Sequence, residues 1–398
     1  MGQRSSHGNL ESVKGRINIT NLKSETNGSK QQGFTMSNLS IAQKRAAASL
    51  RCMFVGDSLA MPVHWYYNPM DIFKQFSGGI TKLEAAPKYH PSSIMSLHST
   101  KRGGRDAKRP SSSQPEIVGD VILKGKRQFW NQPNQHYHQG MLAGENTLNS
   151  HCARIIMRAL GSNGGHYNEE QFLNAYIELM TANPALHPDT YAESYHRGFF
   201  ANLSAGKPHN KCGAVTHDTA SMGGLVTIAP IMISERLLGT PLEDVQTICH
   251  KHIQLTHPDE FLAKVCSDYI GLLDALLFSL DAQRPQEIIA TWAKRSIGIT
   301  MPELLGKVHS DNDVVGRLFS SACYISDSWP SVLYLAYKYA DKPVAGLLAN
   351  TNLGGDNAHR GSVLGVILGL ASGFTPSALY DELQDKDLIE EEISALLN

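Results

Sequence analysis

Long hydrophobic runs are missing from this sequence of 398 residues. No window approaches the ~18 consecutive apolar residues of a membrane-spanning helix, and the N-terminus has no apolar segment of the kind that directs secretion. A charge excess is missing as well, because 36 Lys and Arg side chains face 37 Asp and Glu side chains. Without a net field the chain has no general attraction for nucleic acid or for an anionic membrane. We therefore expect a cytoplasmic protein with no transmembrane segment and no nucleic-acid partner.

Paired cysteine motifs are absent too. The six cysteines have no CxxC spacing and lie mostly in apolar runs, which favours buried thiols in a reducing compartment over disulfides or a zinc knuckle. The sequence also has no P-loop, GxSxG or helix-turn-helix pattern. These absences argue against nucleoside triphosphate hydrolysis, serine or cysteine hydrolysis, and nucleic-acid binding.

The two ends of the chain differ in composition. Residues 1–37 are rich in Ser, Asn, Gly and Lys and hold few side chains that anchor a core, so we predict a disordered tail. The first residues fit the loose N-myristoylation pattern at Gly2, although one acyl chain anchors a protein only weakly. Residues 38–398 are predicted to form a single helical domain.

A long loop or insertion interrupts this domain at about 71–140, where Pro, Ser, Gly, His and basic residues replace the apolar pattern. Its basic part, from Lys101 to Pro115, is predicted to be a solvent-exposed inserted loop. Its last part, FWNQPNQHYHQG, ends at Gly140 and is rich in aromatic residues and histidine. We predict that this last part packs over a pocket.

Helical patterns dominate the rest of the chain. A first, buried helix is predicted from Ser40, and Gly56 is predicted to end it. From Thr147 onward, segments of helical length recur between breakers, and strand signals are nearly absent. The predicted segments are 147–160, 169–182, 188–203, 219–238, 241–255, 259–282, 285–296, 311–325, 328–341, 343–350, 360–372 and 376–396. The pattern predicts an all-α fold, a compact bundle of many helices.

Two glycine-marked junctions carry a resemblance to a known family. The first helix ends in GDSLAMP at Gly56–Pro62, and a late loop reads NLGGDNAHRG at Asn352–Gly361. Both are similar to signatures of the ADP-ribosylglycohydrolase family, GDALGxPxE and GGDTDT. Supporting stretches are ASM at 220–222, which runs on to AP at 229–230, and LTHP at 255–258. The four motifs occur in the family's order, and the resemblance covers Ser40 to Gly373.

The resemblance implies an all-helical orthogonal bundle that binds ADP-ribose-like ligands in a cleft. One or two Mg²⁺ ions would assist hydrolysis of an N- or O-glycosidic bond of an ADP-ribosyl or related nucleotide-sugar compound. The partner would be a small molecule or an ADP-ribosylated substrate. J-type crystallins share this fold, so the alternative is a catalytically inactive ADP-ribose-binding or crystallin-like structural protein.

The resemblance also implies a set of metal ligands. The family's TDDT stretch matches residues 144–147, so two aspartate positions hold Glu145 and Asn146. In the late loop Asp356 matches the family's first aspartate, whereas Ala358 replaces the second and a histidine follows it. The implied metal ligands are Glu145, Asn146, Asp356, His359 and His64, the last at a glutamate position of some members. Catalytic roles fall to Asp356, Glu145 and His359, and substrate binding to Asp57, Gly354, Gly355, Asn357 and Arg360.

This ligand set differs chemically from the family's. Mg²⁺ prefers carboxylate and other oxygen ligands, whereas imidazoles suit Zn, Fe, Ni or Mn. Two hypotheses stay open. Either one divalent ion is bound, which is Mg²⁺ by resemblance or a transition metal by ligand chemistry, or no metal is bound and His and Glu act as general acid and base.

Each site residue also has a structural alternative. Asp57 and Asn146 or Thr147 could serve as helix caps, and Arg360 could brace a helix junction. Asp356 is expected to be an exposed loop carboxylate that matters more for activity than for folding. We expect the motif residues to converge in one cleft, namely Asp57, His64, Glu145, Asn146, Asp356 and His359.

Overall fold

The computed structural model describes residues 40–93, 95, 116–280 and 282–397. Over these residues the chain is helical, with isolated bridges and no strand, which confirms the all-α prediction. The helices are α1 (Ile41–Ala60), α2 (Pro69–Gln75), α3 (Leu148–Ser162), α4 (Glu169–Thr181), α5 (Ser194–Ser204), α6 (Ile228–Leu237), α7 (Leu242–Thr256), α8 (Glu260–Leu277), α9 (Pro285–Ile297), α10 (Met301–Lys307), α11 (Asp311–Val314), α12 (Ile325–Tyr339), α13 (Pro343–Leu353), α14 (Asn357–Ser372), α15 (Ser377–Tyr380) and α16 (Lys386–Leu397).

Some predictions fall outside this description. The tail at 1–37 with Gly2 and the stretch from Lys101 to Pro115 lie outside the described residues, so these predictions and the domain limits stay predictions. Among the described helices, none combines the length and the apolarity that crossing a membrane requires. The six cysteines are free thiols, five of them buried and Cys323 half-buried, as expected.

The buried first helix is confirmed, but its predicted end is wrong. Ser40 caps α1 in a capping box, because its hydroxyl accepts the Gln43 N–H and the Gln43 side chain accepts the Ser40 N–H. The helix then runs through Gly56 to Ala60. A Cβ on Gly56 would lie 2.3 Å from the Gly361 carbonyl oxygen. The glycine therefore permits close helix packing and does not stop the helix.

The partner in this packing is α14. Gly361, Gly365 and Gly369 recur every four residues and so lie along one face of α14. Gly56 faces Gly361 at one end of the contact, and Ser49 faces Gly369 at the other. The pairing is antiparallel, so the C-terminal end of α1 meets the N-terminal end of α14. This contact brings the two motif junctions of the sequence together.

Several predicted helix boundaries are wrong. The segment 188–203 becomes helical only at Ser194, because the preceding residues form a loop. The segment 219–238 is a short 3₁₀ turn at Met222–Leu225 followed by α6. Only α11 is helical in the first part of 311–325, and 376–396 is divided between α15 and α16. The short helices α2 and α10 were not predicted, since seven residues show too little periodicity.

Both the histidine-rich end of the insertion and His90, from its earlier part, pack against the turn that follows α1. His136 Nε2 donates to the Pro62 carbonyl at 3.0 Å, and His90 Nε2 donates to the His64 carbonyl at 2.9 Å. The indole N–H of Trp130 donates to the Thr190 carbonyl at 3.0 Å. This part of the insertion is thus built into the protein interior, directly beside the motif junctions.

Candidate metal centre

Three predicted site residues meet where α1 ends and α14 begins. His64 follows the 3₁₀ turn at Met61–Val63, Asp356 is the N-cap of α14, and His359 lies in the first turn of α14. Among the described residues, potential ligand atoms within 4.8 Å of one another come from His64, Asp356 and His359. A buried His/Asp/His group able to bind a metal is therefore present.

The group is sealed inside the protein. His64 and Asp356 have no exposed surface, and His359 is 2 % exposed. The expectation that Asp356 is an exposed loop carboxylate is therefore wrong. Its backbone N–H donates to the Ser321 carbonyl at 2.8 Å, which draws the loop inward and turns the carboxylate toward the two imidazoles.

Asp356 is shared between the two imidazoles. Its Oδ1 lies 2.9 Å from His64 Nε2 and 2.8 Å from His359 Nδ1. Burial raises the pKa of Asp356, but His359 and His64 outweigh burial and hold the pKa well below its usual range. Asp356 is therefore an anion at the centre of the group. Its other oxygen, Oδ2, is buried without a hydrogen-bond partner among the described residues.

The far side of His64 is held by a chain of hydrogen bonds. His64 Nδ1 lies 2.8 Å from His138 Nε2, and His138 Nδ1 lies 2.8 Å from Asp189 Oδ1. Burial lowers the pKa of His64 to about 3, so this imidazole is neutral. A neutral imidazole has one N–H and one lone pair. If Nδ1 of His64 donates to His138, its Nε2 presents a lone pair to Asp356.

His359 connects the group to further polar residues. Its Nε2 lies 3.0 Å from Glu193 Oε1 and 2.7 Å from Asn149 Nδ2. Burial lowers the pKa of His359, but the carboxylates of Asp356 and Glu193 outweigh burial and raise the pKa well above its usual value. The environment of His359 thus favours a positive charge, which a proton or a bound cation can supply.

Asp57 and Asn146 lie next to this group and bond to each other. The Asp57 carboxylate accepts the Asn146 amide at 2.9 Å, and the Thr147 N–H and hydroxyl at 2.8 and 2.6 Å. These donors stand at the N-terminus of α3, where a negative charge is favourable. Asp57 thus serves the capping role considered from sequence, acting on a helix ninety residues away, and Thr147 is the N-cap position.

Glu145 lies apart from the group. Its Oε2 accepts the Leu142 N–H at 2.7 Å. The side chain lines a cavity of about 340 Å³ together with His151, His187 and Asp385. The expected convergence of six motif residues is therefore incomplete. Three form the His/Asp/His group, whereas Asp57 and Asn146 bond to each other at the start of α3 and Glu145 faces another cavity. Its catalytic and metal-binding roles stay predictions.

The four late-loop residues predicted to bind substrate make contacts within the protein. The backbone N–H of Gly355 donates to the Tyr66 carbonyl at 2.8 Å, and a Cβ on Gly354 would lie 2.1 Å from the same oxygen. Asn357 donates its side-chain amide to the Thr351 carbonyl at 2.8 Å. Arg360 is fully buried and donates to Asn350 and to the Gly354 carbonyl. These contacts support the bracing role for Arg360, and substrate binding by the four stays a prediction.

The donor atoms decide which ion fits. Two imidazole nitrogens and one carboxylate suit a borderline transition metal better than Mg²⁺, which prefers oxygen ligands. Neighbouring ligands of a tetrahedral ion bound at 2.0–2.2 Å stand about 3.4 Å apart. The spacings of 2.9 and 2.8 Å around Asp356 Oδ1 are hydrogen-bond lengths, which a bound ion would widen by about half an ångström. Asp356 Oδ2, which has no hydrogen-bond partner among the described residues, is a further candidate ligand atom.

Sequence reasoning missed residues that complete the centre. His138 lies inside the histidine-rich stretch, but nothing marked it as a partner of His64. Asp189 and Glu193 precede α5, and Glu193 is its N-cap residue. Acidic residues just before a helix are ordinary capping signals, so their second role is invisible in the sequence. The missed residues are His138, Asn149, Asp189 and Glu193.

Comparisons with known proteins agree with this architecture. A sequence model described as ADP-ribosylglycohydrolase matches residues 38–398. No curated protein matches the chain significantly. A solved structure titled "ADP-ribosylglycohydrolase-related protein complex" aligns over 89% of this chain and 98% of its own, with 16% identity and a TM-score of 0.52, which shows a shared fold. The family match extends over nearly the whole chain, and this protein therefore belongs to the ADP-ribosylglycohydrolase family.

Proposed function

We propose that this chain is a family member whose centre has become a closed binding site for one borderline transition-metal ion. His64, Asp356 and His359 would hold the ion. A bound ion would neutralise Asp356 and join the end of α1 to the start of α14. The role of the site is then structural, which corresponds to the catalytically inactive alternative considered from the sequence.

The observation that carries this proposal is the burial of all three ligands. A glycosidic bond can be cleaved by a metal centre only if substrate reaches the ion. Here Trp65 stacks on His64 with ring centroids 3.6 Å apart and is itself 7% exposed, while His138 bonds the same imidazole at its edge. These side chains cover the His64 side of the centre, and Asp356 itself has no exposed surface.

The second candidate is the hydrolysis that the family implies, cleavage of an N- or O-glycosidic bond of an ADP-ribosyl or related nucleotide-sugar compound. One observation favours it: Asp356 Oδ2 is buried without a partner, as an oxygen that accepts a substrate hydroxyl or water is. In this case Asp356 would act as base and His359 would assist. The reaction requires Trp65 and His138 to move away from the centre.

Metal content decides the first part of the proposal. Because the site is closed, the protein is refolded with Zn²⁺, Mn²⁺ or Mg²⁺, dialysed, and analysed for bound metal and for melting temperature. We expect one Zn²⁺ or Mn²⁺ per chain and a raised melting temperature, with no Mg²⁺ retained. His64→Phe should abolish retention. His90→Phe removes an equally buried histidine that bonds the His64 carbonyl and the Ser92 N–H but not the His64 ring, and it should retain the ion.

Enzyme assays separate the two candidates. The refolded protein is incubated with peptides ADP-ribosylated on arginine or serine, and release of ADP-ribose is measured for the wild type and for Asp356→Asn. We expect no release from either protein. Turnover by the wild type that Asp356→Asn abolishes would replace the structural proposal with the hydrolase.

A further inference from the structure

A chain of polar side chains runs from the protein backbone to the candidate metal ligand His64. Asp189 begins it, and its carboxylate accepts three backbone N–H groups: Leu148 at 2.8 Å, Thr190 at 2.7 Å and Tyr191 at 3.2 Å. These donors fix the carboxylate in place. Burial raises the pKa of Asp189, but His138, His187 and the Leu148 N–H outweigh burial and hold the pKa well below its usual range. Asp189 is an anion that only accepts hydrogen bonds.

This acceptor sets the direction of the next hydrogen bond. His138 must donate its Nδ1–H to Asp189, 2.8 Å away. A metal ion on His64 Nε2 requires the His64 proton to lie on Nδ1, and His138 Nε2, 2.8 Å away, is placed to accept that N–H. In this tautomer His64 Nε2 presents its lone pair toward Asp356 Oδ1 at 2.9 Å.

A lone pair facing a carboxylate oxygen is unfavourable unless a cation lies between them. The same arrangement is what a metal ligand requires, because imidazole binds a metal through an unprotonated nitrogen while its other N–H is held by an outer partner. Without His138, a neutral His64 can move its proton to Nε2 and donate it to Asp356. That tautomer cannot bind a metal ion through Nε2.

We propose that His138 and Asp189 are positioning residues that fix the metal-binding tautomer of His64, so that the insertion, which supplies His138, completes the metal centre. This inference rests on the proposed metal-binding function. The inference gives the insertion a role beyond packing. Among the described residues, His138 is the one buried histidine of the insertion that bonds the His64 ring, whereas His90 and His136 bond backbone carbonyls.

Two histidines of the same stretch provide a matched comparison. His136 lies two positions from His138, and both are buried. His136 Nε2 donates to the Pro62 carbonyl and its Nδ1 accepts the His138 backbone N–H at 3.0 Å, so its ring does not bond the His64 ring. Phenylalanine keeps the size and planarity of imidazole and removes its hydrogen bonds. Glutamine can accept through Oε1 and donate through Nε2, which replaces both bonds of His138.

The experiment measures Co²⁺ and Zn²⁺ affinity of the refolded full chain by competition with a chelator, and records the visible spectrum of bound Co²⁺. We expect His138→Phe to weaken binding about 10–100-fold and to change the spectrum, as removal of outer partners of metal-bound histidines does. His136→Phe should stay within about threefold of wild type, and His138→Gln should recover most of the affinity.

The outcomes distinguish the two proposals. Failure of the wild type to bind either ion removes the metal site and this inference together. Binding by the wild type with equal affinity in His138→Phe, or an equal loss in His136→Phe, overturns the inference alone. If His138→Phe does not fold, ring ¹⁵N spectra of the Zn²⁺-loaded wild type decide the question: His64 protonated on Nδ1 supports the inference, and the opposite tautomer overturns it.

Discussion

Asp356 shows how much one side chain depends on its surroundings. A carboxylate after two glycines in a loop suggests exposure, yet the carboxylate lies fully buried between His64 and His359. A buried anion is stable only when it is paired and hydrogen-bonded. The side chain therefore contributes to folding as well as to any chemistry at the site.

Asp356→Asn tests this contribution. We expect the metal-free variant to lose about 3–5 kcal/mol of unfolding free energy, because removing the anion leaves the buried charge of His359 without one of its two carboxylates. Urea unfolding measures the change. The control is Asp341→Asn, an exposed position after α12, where we expect a change within about 0.5 kcal/mol. Equal stability of the Asp356→Asn protein and wild type would show that the carboxylate is not paired as described.

The contact between α1 and α14 is the element that positions the site. Backbone approaches backbone along the glycine face of α14, so neither helix can shift without moving His64 relative to Asp356. Each glycine destabilises the helix by about 0.5–1 kcal/mol relative to alanine, and the close backbone contact that it permits offsets this loss.

Alanine at Gly365 should show this constraint. Its Cβ would lie 2.3 Å from the Cys52 carbonyl oxygen, and backbone cannot rotate away as a side chain can. We expect Gly365→Ala to lower the unfolding free energy by about 1–3 kcal/mol or more. Gly306→Ala in α10 is the control, since a Cβ there meets nothing within 4 Å and should be neutral or stabilising. Thermal unfolding of both variants makes the comparison, and a stable Gly365→Ala protein would contradict the close contact.

At the scale of the whole molecule, the chain buries many neutral histidines. Burial lowers the pKa of His151, His252 and His257 to about 3, and it also lowers the pKa of His187. In the unfolded chain a histidine titrates near ~6.5. As the pH falls below that value, the unfolded state binds protons that the folded state does not, so stability is lost.

We therefore expect unfolding in mild acid. Between pH 7 and pH 5 each of the three histidines with a pKa of about 3 removes about 2 kcal/mol of stability, and His187 acts in the same sense. His359 stays protonated in the folded state over this range, so its raised pKa acts in the opposite sense and offsets less than half of the loss from one of them. Urea unfolding at several pH values measures the slope. His151→Phe should reduce the slope of unfolding free energy against pH by the contribution of one proton. The variant is suitable because His151 Nε2 makes no hydrogen bond that the substitution would remove. An unfolding free energy that does not change from pH 7 to pH 5 would show that these histidines are not buried in the neutral form.

The sequence by itself determined the helical class, the family motifs and the start of α1 after Ser40. These features follow from local patterns, namely apolar periodicity, helix-start residues and glycine-marked motifs. Boundaries near the centre were wrong, as at Ser194, because the loop before α5 is shaped by contacts of Asp189 with distant residues.

Only the tertiary structure decided which side chains make up the centre. His64 lies 74 positions from His138 and 292 from Asp356, and no local pattern encodes such contacts. Burial was decided at the same level, since it depends on how the insertion and the late loop close over α1. A sequence shows which donor atoms a chain carries, whereas the distances between them and the exclusion of water from around them arise when distant segments pack together.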